Sequence, residues 1–208
     1  MSRSYGQYCG LARALDVVGD RWNLLIVRQL LIAPARYHEL ADGLPGVATN
    51  LLAGRLRDLE AAGVVERRLT GGGTVVYALT PWGAGLREPI EGLIRWSAPL
   101  MMRGPGGDHF RGEWLVVALP ALFAGRPVAK RSATVGVVVD GGLVQVRSTS
   151  SGVQVGPPDG DDLDAVVRAD AAIVLGLAAG ALAFDDALGL VEVEGDEAAA
   201  RAVFSAAN

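Results

Sequence analysis

Asn50 and Arg57 carry the clearest chemistry in this chain, in the segment Thr49-Asn50-Leu51-Leu52-Ala53-Gly54-Arg55-Leu56-Arg57. An asparagine amide can pair in two places with the major-groove edge of adenine, and a guanidinium can do the same with guanine. If Leu52, Leu56 and Leu59 face inward on a helix, Asn50, Gly54 and Arg57 fall on the opposite side, with Thr49 and Ala53 flanking them. Such a helix buries one face and offers the other to base edges and phosphates. Gly54 costs the helix about 1 kcal/mol relative to alanine; close approach to DNA and a tolerated surface glycine are both open explanations. Arg67 and Arg68 follow in a β-rich stretch where phosphates would pass, and Arg36 and Arg55 complete the set of candidate DNA contacts.

Other reactive residue types are sparse. Cys9 is the one cysteine, so no internal disulfide forms, and with His38 and His109 far apart no soft-metal cluster is expected. A reactive thiol needs exposure and a lowered pKa, and Arg13, one turn on, is the only nearby helper. The alternative is a small buried hydrophobe. Asp159, Asp161, Asp162 and Asp164 stand in a Pro/Gly-rich loop without the ligand order or closing glutamate of a calcium loop, so they read as solvated charge. Gly71-Gly72-Gly73 lacks the Gly-Lys-Ser/Thr and following helix of a phosphate cradle. No Ser-His-Asp, paired-carboxylate or metal spacing stands out. The chain is therefore expected to have no catalytic residue, no metal and no cofactor, and not to be an enzyme.

The elements that must position Asn50 and Arg57 are legible around them. Leu11, Leu15 and Val18 share one helical face, and Trp22, Leu25, Ile26 and Leu30 follow at helical spacing, with Asp20 as the expected N-cap of that second helix. Tyr37, Leu40 and Leu44 make a short third helix ended by Pro45-Gly46. The fourth runs from Thr49 to about Ala62, with Gly63 at the C′ position. Val64–Leu69 and Val75–Leu79 then read as a hairpin. Thr80-Pro81 opens a longer helix, which Pro89 and Pro99 are expected to kink or divide. This order is that of a winged helix-turn-helix, whose longer helix enters the major groove while the wing lies along the backbone.

Residues 104–109, Gly-Pro-Gly-Gly-Asp-His, cannot sustain a helix or strand. We read residues 1–103 as a DNA-binding and dimerisation domain, 104–112 as a linker and 113–208 as a second domain. Residues 1–107 carry 12 arginines and 9 acids, whereas 108–208 carry 7 basic residues and 14 acids. A basic half joined to an acidic half fits a first half that meets a polyanion. No run of about 18 uncharged apolar residues occurs and Met1–Gly10 lacks an apolar signal core, so no membrane partner and a cytoplasmic location are expected.

Residues 9–96 resemble the HxlR family, a branch of the MarR-like winged-helix regulators. The resemblance rests on Cys9, on Ala14-Leu15-Asp16-Val17-Val18-Gly19-Asp20-Arg21-Trp22-Asn23-Leu24-Leu25-Ile26, and on Arg36-Tyr37-His38-Glu39-Leu40. It continues through Leu44-Pro45-Gly46-Val47, Leu51-Leu52, Arg55-Leu56, Leu59-Glu60, Gly63-Val64-Val65, Tyr77-Ala78-Leu79-Thr80, Gly83 and Trp96. It implies a transcriptional regulator that binds a roughly palindromic double-stranded operator as a homodimer, paired through the first and the long C-terminal helix. In the family a cysteine near the start sometimes senses oxidants. The chain departs from the pattern at Gly10, where proline is usual, and at Ala48, where a Ser or Thr cap is usual. The wing tip is short, uncharged and rich in glycine.

The second half is mixed α and β. Glu113–Gly125 reads as a helix, Ala133–Val139 and Leu143–Ser148 as strands about Asp140-Gly141-Gly142, and Val153–Val155 and Ala165–Ala169 as further strands. Ala171–Gly180 is an Ala/Leu-rich helix, Gly189–Glu194 a strand and Asp196–Ala207 a closing helix. Asp170, Leu175, Gly176, Leu177, Gly180 and Gly189-Leu190-Val191-Glu192-Val193-Glu194-Gly195-Asp196 resemble the sterol-carrier-protein-like family. That implies a five-stranded sheet with helices enclosing an apolar tunnel. Trp114, Leu122, Phe123, Val137, Leu177, Leu182 and Phe184 are the candidate pocket residues for a hydrophobic small-molecule effector, ordinary core being the alternative for each. The fold class expected overall is α+β: a winged helix-turn-helix followed by a smaller α/β sterol-carrier-like domain with a mainly antiparallel sheet. Two other functional readings stay open. One is a redox-responsive regulator acting through Cys9, its second domain used only for dimerisation. The other is a lipid carrier or enzyme with a vestigial winged helix.

Overall fold

The computed structural model describes residues 4–101, 104–126, 131–149, 152–160 and 162–204. The chain divides into two compact units, Met1–Ile90 and Glu91–Asn208.

The first unit opens with α1 (Gly10–Val18), α2 (Asn23–Ile32), α3 (Tyr37–Asp42) and α4 (Thr49–Ala61). The hairpin β1 (Val65–Leu69) and β2 (Val75–Leu79) follows, antiparallel, with Val65 opposite Leu79 and Leu69 opposite Val75. Ala35 and Tyr77 exchange two backbone hydrogen bonds of 3.0 and 2.8 Å, which ties the α2–α3 connection to β2. The core of the unit includes Ile26, Val27, Leu40, Leu44, Leu52, Leu56, Leu59 and Val64, all buried. Leu52, Leu56 and Leu59 are the inward stripe that the spacing predicts for α4. Gly63 has φ +74 just past the helix, where a residue with a Cβ would be strained.

Two expectations need correction here. Asp20 does not cap α2 through its side chain. Trp22 holds the N-cap position, only the Asp20 carbonyl accepts from Asn23 N–H, and the carboxylate is drawn to Arg55 instead. Nor do the prolines divide the long helix. It breaks at Gly85-Leu86, giving α5 (Pro81–Ala84) and α6 (Arg87–Met101). Pro89 lies in the first turn of α6, where its missing N–H has no partner to lose. Thr80 starts α5: its Oγ1 accepts from Gly83 N–H at 3.0 Å and donates to the Gly63 carbonyl at 2.7 Å.

The second unit contains a short 3₁₀ turn at Gly112–Trp114, then α7 (Leu115–Phe123), β3 (Ala133–Val139), β4 (Gly142–Thr149), β5 (Gly152–Gly156) and β6 (Ala165–Arg168). It closes with α8 (Ala171–Ala179), α9 (Phe184–Ala187), β7 (Glu192–Gly195) and α10 (Glu197–Phe204). The spacing does not predict α9, which is a single turn too short to show a period. The five strands form one sheet in the order β5-β4-β3-β6-β7, antiparallel except where β3 and β6 run parallel. Asp140 and Gly141 have φ of 50 and 75, the pair of positive angles that a two-residue hairpin turn needs. Ala133, Val135, Val137 and Val139 of β3 share a face with Val144 and Val146 of β4 and Ala165 and Val167 of β6, and all are buried. Helices α7 and α10 pack on this sheet, and α8 packs on α7. No helix among the described residues is long and apolar enough to cross a membrane.

Candidate nucleic-acid interface

Helix α4 presents its outer face as the spacing requires. Thr49, Asn50 and Arg57 are exposed, while Leu52, Leu56 and Leu59 are buried. A Cβ placed on Gly54 meets nothing within 4 Å, so packing inside the protein does not require glycine there. The helix begins without a side-chain cap: Ala48 has none to offer, and Asn50 Oδ1 accepts only from the adjacent Leu51 N–H, at 2.9 Å. Tyr37 of α3 reaches across instead and donates its hydroxyl to the Thr49 carbonyl at 2.7 Å. Arg36, exposed just before α3, donates its backbone N–H to the Glu39 carboxylate at 2.6 Å, which satisfies one free amide of that helix start.

The arginines differ in a way that residue type alone does not show. Arg57 takes part in none of the ion pairs formed among the described residues. Arg67 Nε donates to Glu60 at 2.8 Å, and its guanidinium is held above the usual arginine range by that hydrogen bond and charge. Arg68 Nε donates to Glu66 at 2.7 Å. Both wing-strand arginines remain more than half exposed, so these pairs are weak and can yield to phosphate. Arg55 is the exception: it contacts Asp20 and lies 3.2 Å from Asp58, with only a quarter of its side chain exposed. Cys9 is exposed at the N-cap of α1, and the backbone N–H groups of Ala12 and Leu11 hold its thiol below the usual range.

The seven candidate pocket residues of the second unit are all buried or half-buried. Phe123 and Phe184 flank Phe204, a core residue that the sequence reading did not single out, with ring centroids 6.0 and 6.2 Å away. Val137 lies buried in the centre of the sheet and Leu177 is buried on α8. Trp114 packs edge-on against Phe110 at 5.6 Å, and Leu122 and Leu182 are half-buried. Among the described residues no three His, Cys, Asp or Glu side chains gather where they could hold a metal ion.

A helix with a free polar face, a short helix before it and a two-stranded wing after it define a winged helix-turn-helix protein of the DNA-binding class. The family model of the HxlR-like helix-turn-helix matches residues 17–104. The chain is 33% identical over 86 residues to the HTH-type transcriptional regulator YodB of Bacillus subtilis, spanning 40% of this chain and 77% of that protein. It is 30% identical over 131 residues to the HTH-type transcriptional regulator Rv3095 of Mycobacterium tuberculosis, spanning 60% of this chain and 82% of that one. The crystal structure of quinone-bound YodB aligns with 43% of this chain and 96% of its own at 31% identity, with a TM-score of 0.39. The chain belongs to the HxlR family of DNA-binding transcriptional regulators.

Proposed function

We propose that this regulator reads a specific operator as a homodimer, with α4 in the major groove and the β1–β2 wing along the backbone. The outward set of Thr49, Asn50 and Arg57 on α4 carries this reading. Arg36, Arg67 and Arg68 are assigned to phosphates. For the dimer, support comes from Leu11 and Leu15 on α1 and Leu93 and Trp96 on α6, all exposed, because a monomer seldom leaves that much apolar surface to water. The effector assigned to the second unit is a hydrophobic small molecule. Its support is a mainly antiparallel sheet with helices packed on it, the arrangement that the sterol-carrier-like resemblance implies.

The test is a titration of duplex DNA at several salt concentrations. Operator affinity should fall steeply with salt as phosphate contacts release counterions. Replacing Arg67 and Arg68 by alanine should weaken all duplexes alike, while Asn50→Ala or Arg57→Ala should each cost about 1–3 kcal/mol on the operator and relax its sequence preference. A protein that ignores duplex DNA at low salt overturns the reading, and a stable monomer in sedimentation at micromolar concentration overturns the dimer.

A second reading has two observations behind it. The Phe123-Phe184-Phe204 cluster fills part of the second unit with side chains, as a purely dimerising domain requires. Cys9 is exposed, with its thiol lowered by helix-end amides. On this reading Cys9 reacts with iodoacetamide at a pH below the ordinary thiol range (about 8.5), because a depressed pKa leaves more of the thiol as thiolate at such a pH. Alkylation should then release the operator and Cys9→Ser should not respond. Operator binding that survives complete alkylation removes the reading.

A further inference from the structure

Arg55 belongs to the same helix as Asn50 and Arg57, yet its guanidinium is engaged inside the protein. Its Nη1 contacts the carboxylate of Asp20, 35 residues away in sequence, and lies 3.2 Å from Asp58 Oδ2 on its own helix. Asp20 stands in the turn between α1 and α2. The contact therefore ties the middle of α4 to that turn. Two carboxylates on one guanidinium leave the cluster with net negative charge, which repels a phosphate rather than attracting it.

The rest of α4 shows why such a tie has work to do. Its start has no side-chain cap, and Tyr37 supplies one hydroxyl to the Thr49 carbonyl. Leu52, Leu56 and Leu59 seat the helix by apolar packing, which is non-directional and tolerates small rotations about the axis. A charge-assisted hydrogen bond is directional. On a helix Arg55 and Arg57 point to nearly opposite sides. Holding Arg55 at Asp20 thus fixes the angle at which Asn50 and Arg57 face outward.

We infer that Arg55 is a positioning residue and not a DNA contact, and that its pair with Asp20 sets the rotation of the recognition helix and so the sequence preference of the regulator. The inference takes α4 as the recognition helix, as proposed above.

The experiment compares the full-length wild type with Asp20→Ala, Arg55→Ala and the exchanged variant Asp20→Arg/Arg55→Asp. The probes are a duplex enriched by the wild type from random sequence and an unenriched duplex of equal length. Each is titrated between about 50 and about 200 mM salt. Both single variants are expected to lose about tenfold or more on the enriched duplex, little on the other, and none of the salt slope. The exchanged variant restores opposite charges at the two positions but sets a carboxylate one turn from Asp58, so it should recover part of the preference even if the single variants fold less well. Three results overturn the inference. Arg55→Ala could weaken both duplexes alike and lower the salt slope by about 0.9, the mark of one lost phosphate contact. Asp20→Ala could tighten binding, showing that Asp20 only withholds Arg55 from DNA. Or no variant could change the preference. If the wild type enriches no duplex at all, the assignment of α4 as the recognition helix fails and the inference fails with it.

Discussion

Gly83→Ala is expected to destabilise the winged-helix unit by about 3 kcal/mol or more and to abolish operator binding near its unfolding temperature. A Cβ at this position would lie 2.0 Å from the Val64 carbonyl oxygen and 2.9 Å from its carbon. Both are backbone atoms at the start of the wing, and Val64 O already accepts the Thr80 N–H at 3.0 Å. Relief would require α5 or the first strand to move, which breaks the hydrogen bonds from Thr80 to Gly63 and from Gly83 to Thr80. Helix propensity alone would favour alanine by about 1 kcal/mol. Overpacking against rigid backbone costs about 1–3 kcal/mol or more, so the overlap decides the sign. Gly54→Ala is the control. It has the same propensity gain and open space around the added methyl, so it should stabilise the unit. Thermal unfolding of the two variants separates the cases, and a Gly83→Ala protein as stable as the wild type would contradict the packing described here.

Arg126→Ala is expected to lower the stability of the second unit by about 2–3 kcal/mol, scaled from the usual worth of hydrogen bonds to charged groups. The side chain is half-buried and its Nη1 donates to the carbonyls of Leu177 and Ala178 at 2.8 and 2.7 Å, while Nη2 donates to Phe204 at 2.7 Å. One guanidinium thus satisfies carbonyls at the last turns of both α8 and α10, where the helix dipole also favours a cation. Its carbon sits 5.6 Å over the Phe123 ring. Burial pushes its pKa down from the usual arginine range. The charge nonetheless persists at neutral pH, because arginine starts so high. Lysine in its place keeps the charge but not the planar fork that spans two helix ends, so Arg126→Lys should recover only part of the loss. Denaturant unfolding followed separately for the two units is the measurement. A loss confined to the first unit, or full recovery with lysine, would contradict this role.

Much of the winged-helix unit was legible in the sequence because its elements are local. The stripe Leu52, Leu56, Leu59 with Gly63 behind it places α4 and its end, and in the second unit Asp140-Gly141 places a hairpin in the same way, since period and turn chemistry act over a few residues. The same local rules put Asn50 and Arg57 on the side of α4 away from the leucines, and both are exposed there. What they could not decide was which arginines remain available. The partner of Arg55 is 35 residues away, so its engagement exists only once α1, α2 and α4 are packed together. For the same reason Asp20 looked like a cap and became an ion-pair partner. The break after α5 falls at Gly85 and not at a proline: Pro89 sits in the first turn of α6, where a missing N–H costs nothing, and Pro99 lies inside α6 near its end without dividing it. In the second unit the first two strands were marked by the turn residues Asp140-Gly141-Gly142 between them. The parallel pairing of β3 with β6, and the meeting of Phe123, Phe184 and Phe204, join residues far apart in sequence. Local propensity chose the elements of this protein, and long-range burial and charge pairing chose which of their side chains are left to act.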